Sequence, residues 1–178
     1  MRSLLLGLLP LFVLAHFTHH LLTALATPLL PFIRDEFNLS YTRAGLLASA
    51  FSLAYGLAQL PAGWLADRIG RRTLITIGIC GVALAGFLIG LSRTYLLLIL
   101  LLVLIEIAGG SYHPAAPPLV AAATEPRNRG RALGFHMVHG SASHFLSPLI
   151  GVASTSGWLF PPLSSALPFM SFWDAVAS

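Results

Sequence analysis

Glu106 lies inside the most hydrophobic run of the chain, YLLLILLLVLIEIAGG, from Tyr95 to Gly110. Counted along a helix from Tyr95, its carboxyl group is about 16 Å into a hydrocarbon layer ~30 Å thick, close to the midplane. An ionised carboxylate at that depth costs at least a few kcal/mol unless it faces a wet cavity, meets a partner or takes up a proton. Two kinds of chemistry are open to it: reversible protonation beside a solute pathway, or a structural hydrogen bond to a neighbouring helix. His113 comes seven residues later. On an unbroken helix that spacing returns to nearly the same face, about 10 Å further along.

The remaining histidines fall in the first and last apolar stretches: His16, His19 and His20, then His136, His139 and His144. His16 and His20 are four apart and share a helix face. His136 and His139 also share a face, whereas His144 is turned about 140° away from His139. Imidazole is tolerable in a helical bundle when neutral, and it titrates near neutral pH. Taken singly, each reads as a hydrogen-bonded packing residue; as a set near mid-depth, with Glu106, they fit a proton or substrate site. His16 and His20 with His113 also offer nitrogen ligands on two helices, of the type that holds haem, Zn, Cu, Ni or Fe. Cys80 stands alone in an apolar run, which leaves no disulfide framework and no Cys-based metal site. No nucleophile and base occur at a recognisable spacing, so an enzyme is not expected.

These residues need elements that hold them within a bilayer. Of 178 residues, 56% are hydrophobic and 9% charged, where a soluble domain has about a quarter charged. The mean hydropathy of +0.82 describes an all-α, polytopic membrane protein. Helices are expected over about 4–33, 42–66, 73–91, 95–123 and 132–152. Pro28 and Pro31 weaken the first, and Pro61 is expected to kink the second. Arg34, Asp35 and Glu36 are expected in the first outer loop, with Ser40 or Thr42 capping the second helix. Gly78, Gly81, Gly86 and Gly90 allow close backbone approach on the third. Pro114, Pro117, Pro118 and Pro148 suggest irregular backbone of the kind that lines a cavity. Arg2, the apolar run from Leu4 to Ala15 and Ala24-Leu25-Ala26 imitate a secretory signal. Because the apolar stretch continues to Ile33, it reads as an uncleaved first helix, with cleavage the lesser alternative.

The net charge of +4 comes from ten arginines and no lysine. They sit in short loops, so they report topology and give no reason to expect nucleic-acid binding. Arg2, Arg68, Arg71, Arg72, Arg127, Arg129 and Arg131 fall on one side; Arg34, Arg43 and Arg93 fall on the other. Such a bias places the N-terminus in the cytoplasm. Residues 153–178 are rich in Ser and Pro and form an atypical tail. Its one apolar run, Trp158 to Trp173, is about 24 Å long if helical, short of a full span, so it is a possible partial sixth helix.

The hairpin between the second and third helices carries the most specific pattern: Gly63, Asp67, Arg68, Gly70, Arg71 and Arg72 in GWLADRIGRR. It resembles the signature between helices 2 and 3 of the major facilitator superfamily of secondary transporters. The similarity extends from about Leu4 to Gly151, which implies a bundle of five to six transmembrane helices, half of the twelve-helix fold. Tyr112-His113-Pro114-Ala115-Ala116, Arg129-Gly130-Arg131-Ala132-Leu133-Gly134 and Ser147-Pro148-Leu149 look most like exporters of the fosmidomycin-resistance type. In this chain Ala115 replaces the acidic residue that often follows the His-Pro pair. Ser147-Pro148 replaces the Gly-Pro pair of the helix-5 antiporter motif; Gly151 is kept, and Val152 stands where a second Gly is typical. Glu106, three residues before Gly109, takes the place of the arginine of many proton-coupled members.

The resemblance implies that the first and fourth helices border the substrate cavity. Glu106, His113, His16, His19, His20 and His139 are then the candidate substrate and proton pathway. Gly63, Asp67, Arg68, Gly70, Arg71 and Arg72 are a conformational-switch loop, with Gly63 permitting close approach and Gly70 the turn. Ser147, Pro148 and Gly151 form the antiporter-like motif. The implied activity is proton-coupled export of a small organic molecule or drug by alternating access, in a bacterial inner or plasma membrane. The partners are protons, substrate, lipid, and a C-terminal half or second copy that completes the pathway. Two other readings stay open: a fragment or half-transporter that does nothing without a partner chain, and an intramembrane protein binding metal or haem through histidine.

Overall fold

The computed structural model describes residues 9–155. Seven α-helices occur among them: α1 Leu9–Ala24, α2 Ala26–Glu36, α3 Tyr41–Ile69, α4 Arg71–Ile89, α5 Tyr95–Gly110, α6 Tyr112–Ala122 and α7 Arg129–Thr155. A 3-10 turn, Pro126–Asn128, leads into α7, and the described residues include no strand. The expected helical start at residue 4 and the partial sixth helix lie outside the described residues.

Two of the expected spans are each built from a pair of helices. The first breaks at Leu25, between α1 and α2, and the fourth at Ser111, between α5 and α6. Pro28 is four residues past Ala24, and Pro114 is four past Gly110. Proline gives no N–H to the carbonyl four residues back, and its ring presses against that carbonyl, so the upstream helix ends there. Each proline instead occupies the first turn of the next helix, where its N–H would have no intrahelical partner. Pro61 interrupts nothing: α3 runs through it.

Several boundaries differ from the expected ones. Arg34, Asp35 and Glu36 complete the last turn of α2, with Arg34 donating to Asp35 Oδ1 at 2.6 Å and lying over the Tyr41 ring. Ser40 is the cap of α3, its Oγ accepting from the Arg43 N–H at 3.2 Å, and Thr94 does the same for α5 through Leu97 at 3.3 Å. α3 extends to Ile69 and α4 starts at Arg71, which leaves Gly70 as the whole connection. Its φ of +89° and ψ of 139° are open to glycine and to almost no other residue. Arg129 and Arg131 belong to the first turn of α7, not to the preceding loop; Arg129 Nε donates back to the Ala121 carbonyl at 2.9 Å.

Four stretches are long and apolar enough to cross a membrane: Leu9–Glu36, Tyr41–Ile69, Arg71–Ile89 and Tyr95–Ala122. The fifth expected span, α7, is 27 residues long but too polar to join them by composition, because one side of it is built from His, Ser and Gly. The packing is polar inside and apolar outside. His16, His19, His20, Glu106, His136, Ser143 and Ser147 are buried, while Leu60, Trp64, Phe87, Leu100 and Phe145 are exposed. A lipid-facing surface accounts for that inversion.

Two apolar clusters flank the buried polar level. One joins Ala26 of α2, Leu47 and Phe51 of α3, Val82 of α4 and Leu98, Leu102 and Ile105 of α5. The other joins Ala62 and Ala66 of α3, Leu74 and Ile75 of α4 and Tyr112, Ala115 and Ala116 of α6. Close helix approach holds α4 to α5: a Cβ at Gly81 would come within 2.8 Å of the Ala108 Cβ.

Candidate functional site

The site forms where α1 lies between α5–α6 and α7. On α7 the buried positions are Ala132, His136, Gly140, Ser143, Ser147 and Gly151, a helical stripe of small and polar residues. It receives the imidazoles of α1. The His16 ring stacks on His136 with centroids 4.0 Å apart and planes 11° off parallel. It sits where a side chain at Gly140 would otherwise be. On its other side, Gly109 of α5 admits His19: a Cβ there would come within 2.7 Å of His19 Cε1 and 3.1 Å of Thr23 Cγ2. Tyr112 of α6 stacks on both His16 and His19 and donates its hydroxyl to the Phe12 carbonyl at 3.1 Å.

The hydrogen bonds assign the ring protons. His16 Nδ1 is 2.7 Å from the carbonyl oxygen of His136. A carbonyl only accepts, so the proton is on Nδ1, and the buried Nε2, which has no partner, presents a lone pair. His20 Nε2 is 2.9 Å from His113 Nε2, and His20 Nδ1 is 3.2 Å from His144 Nε2. A neutral imidazole has one donor and one acceptor. His20 therefore donates to one neighbour and accepts from the other, and the relay His113, His20, His144 runs across the fourth, first and fifth spans. His19 and His136 each keep both ring nitrogens buried without a hydrogen-bond partner.

His20 and His144 also face a cleft of about 350 Å³, together with Glu106, Tyr55, Ser147 and Pro148. Its wall comes from α1, α2, α3, α5 and α7, and it contains the break of the first span at Ala24 and Pro28. Glu106 is 6% exposed and lines the cleft. The volume is within the range of small-molecule sites, roughly 300–1,000 Å³.

The expected residues are only partly brought together. Glu106, His20, Ser147 and Pro148 meet in the cleft, and His16 and His113 stand behind His20. Glu106 lines the cleft beside Tyr55, and His113 stands next to it, against His20 at 2.9 Å and against the Tyr55 ring at 6.0 Å between centroids. His139 lies apart, its Nδ1 bonded to the Phe135 carbonyl of its own helix at 2.7 Å. Gly151 packs against Leu29 and Pro28. Nothing in the spacing singles out Tyr55; Tyr112 enters the sequence reading only within the family-like motif, and His136 and His144 only as members of the histidine set. The spacing of the α7 stripe is the signal that points to His136.

The hairpin of α3 and α4 is a separate feature. Asp67 accepts from Arg71 Nη2 at 3.0 Å, one helical turn across Gly70. Arg68 stacks over Trp64 at 4.0 Å from the ring centroid, an aromatic and cationic pair suited to a membrane interface. Gly63 does not provide close approach here: a Cβ on it would meet only Pro114 Cβ, at an ordinary 3.9 Å.

Comparison with known proteins adds the context of this geometry. A probable L-galactonate transporter of Escherichia coli K12 is 32% identical over 79% of this chain and 28% of its own length. Multidrug resistance protein 1 of Bacillus subtilis is 29% identical over 82% of this chain and 36% of its own. The fold matches the inward-facing, occupied structure of a bacterial homologue of the human lysosomal transporter Spinster. The TM-score is 0.78 at 23% identity, covering 84% of this chain and 32% of that one. The chain thus spans about a third of the length of these relatives. The family profile described as Major Facilitator Superfamily matches residues 12–172, running past residue 152 into the tail. With helices packed around a polar cleft and a match along nearly its whole length, the chain belongs to the Major Facilitator Superfamily.

Proposed function

We propose that this chain supplies the N-terminal half of a secondary transporter that exports a small organic molecule in exchange for protons. Glu106 on the cleft wall is the observation that carries the reading. A carboxyl group in the middle of the bundle, bordered by Tyr55 and Ser147, can release a proton when the cleft is wet and hold one when it is closed. His16, His19, His20 and His113 form the polar wall behind it, His139 lies on the same span as His144, and Ser147, Pro148 and Gly151 shape the α7 side. A second half, or a second copy of the chain, completes the pathway, and alternating access follows from rocking of the two parts about this level.

The hairpin from Gly63 to Arg72 acts on the cytoplasmic side as the switch between access states. Asp67 favours the N-terminus of α4 and holds Arg71. The arginine bias keeps that loop and the N-terminus inside the cell, in a bacterial inner membrane.

Everted membrane vesicles from cells that produce the protein naturally test the reading, since any completing half is then present. Puromycin and galactonate are suitable probes, as relatives of the chain are named a puromycin resistance protein and a D-galactonate transporter. Acid-inside vesicles are expected to accumulate one of them, and a protonophore or Glu106→Gln to abolish the accumulation. Uptake unchanged by both treatments would overturn the proton coupling.

A further inference from the structure

The geometry points to a binding site for a divalent transition-metal cation of the zinc type, held by His16, His20 and His113. This goes beyond the transport reading and does not depend on it. One ring nitrogen from each of the three residues lies within 4.8 Å of the other two. His16 and His20 come from α1 and His113 from α6, so an ion there clamps the first span to the fourth below their breaks.

The arrangement is more than proximity, because the outer partners are already in place. A metal-bound imidazole ordinarily donates its other N–H to a carbonyl or similar acceptor, which fixes the ring and makes the ligating nitrogen more basic. His16 does this through Nδ1–H and the His136 carbonyl, leaving a buried Nε2 with no protein partner. His20 has the same choice: with its proton on Nδ1 it donates to His144 Nε2, and its Nε2 faces the site. His113 Nε2, 2.9 Å from His20 Nε2, supplies the third ligand once its ring proton is on Nδ1. One ligand, His16, is thus held in the ligating tautomer by a carbonyl outside the coordination sphere, and a second, His20, has an acceptor in place for it.

Tetrahedral zinc with Zn–N of ~2.0–2.1 Å places its nitrogens about 3.3 Å apart, so small ring rotations close the set. Three protein ligands leave the fourth position for water or solute. An all-imidazole set selects Zn²⁺, Ni²⁺, Co²⁺ or Cu²⁺ and discriminates against Mg²⁺ and Ca²⁺, which prefer oxygen. The rings of His16, His20 and His113 lie within 5.4 Å of one another, centroid to centroid. Glu106 and Tyr55 line the same cleft as His20, Tyr55 lies edge-on to the His113 ring, and His19 touches His20 from its own helix.

Zinc binding to the purified full-length chain, carrying no polyhistidine tag, is the test. Equilibrium dialysis against Zn²⁺ is expected to give one ion per chain. X-ray absorption at the zinc edge should show three imidazoles at ~2.0–2.1 Å and no sulfur near ~2.3 Å. His144→Phe should weaken binding roughly tenfold, as loss of an outer partner does, and His16→Ala or His20→Ala by more. Cys80→Ser should change nothing. The absorption spectrum needs no variant, so a misfolded substitution leaves the test intact. Absence of stoichiometric zinc, an oxygen-only shell, or affinity unchanged in the histidine variants would overturn the site. None of those outcomes bears on transport, which the vesicle assay reads separately.

Discussion

His20 Nε2 and His113 Nε2 are 2.9 Å apart, which ties the first span to the fourth close to the point where each is broken. The bond sets the direction of protons around it, since His20 also meets His144. Removing His20 takes a hydrogen-bond partner from the half-buried His113 and from the exposed His144, at about 0.5–1.5 kcal/mol for a typical bond. His20→Ala is expected to lower unfolding stability in detergent by that amount, measured by denaturant titration. No loss of stability would show that the relay carries no structural weight.

The tautomer of His16 is a second, sharper expectation. Its Nδ1 can only donate to the His136 carbonyl, so nitrogen NMR of the labelled protein should find the proton on Nδ1 and Nε2 bare. A resonance from an Nε2–H tautomer would contradict the donation of Nδ1–H to the His136 carbonyl.

Gly140 is where α1 and α7 come together through His16. A methyl group there occupies the space of the imidazole, and overfilling a packed interior costs typically about 1–3 kcal/mol. Gly140→Ala is expected to destabilise the bundle by that amount in denaturant titration and to remove the stacking of His16 on His136. Gly63→Ala, at a site with room for a methyl group, should leave stability nearly unchanged.

The hairpin separates backbone from charge. Gly70 has a positive φ, and a side chain there costs of order 1–3 kcal/mol. Gly70→Ala is therefore expected to reduce the thermal stability of the purified protein. Asp67→Asn removes an exposed ion pair, which is worth little to folding. Its thermal stability should match the parent, and any loss of transport in Asp67→Asn vesicles then reports on switching between access states.

Much of this architecture is legible in the residues themselves. Hydrophobic runs and arginine placement give the helices and their order, and the GWLADRIGRR hairpin gives the family. What escapes is rotational. A helix turns 100° per residue, so which side chains meet across the bundle depends on how each helix is rotated against its neighbours. Proline positions mark where a hydrogen-bond ladder is interrupted, not which neighbour a side chain meets. The polar run Arg34 to Glu36 is another case, since its charges suggest a loop although nothing in it stops a helix. The metal-ligand set of His16, His20 and His113 is visible as a possibility in the spacing. The pairing of His20 with His144 is not, because it depends on how α7 is rotated against α1.

The account rests on Glu106 bordering a cleft that water enters from one side of the membrane. Cys80 is the one cysteine of the chain, so a Cys80→Ser background permits single cysteines at Thr27, Ser52 and Ser147 on the cleft wall and at Leu100, exposed on the outer surface of α5. Labelling in sealed vesicles of both orientations with a charged, membrane-impermeant maleimide is the direct measurement. The cleft cysteines are predicted to react from one side and the Leu100→Cys protein from neither; cleft positions as inert as Leu100 would contradict a solvated pathway through this bundle.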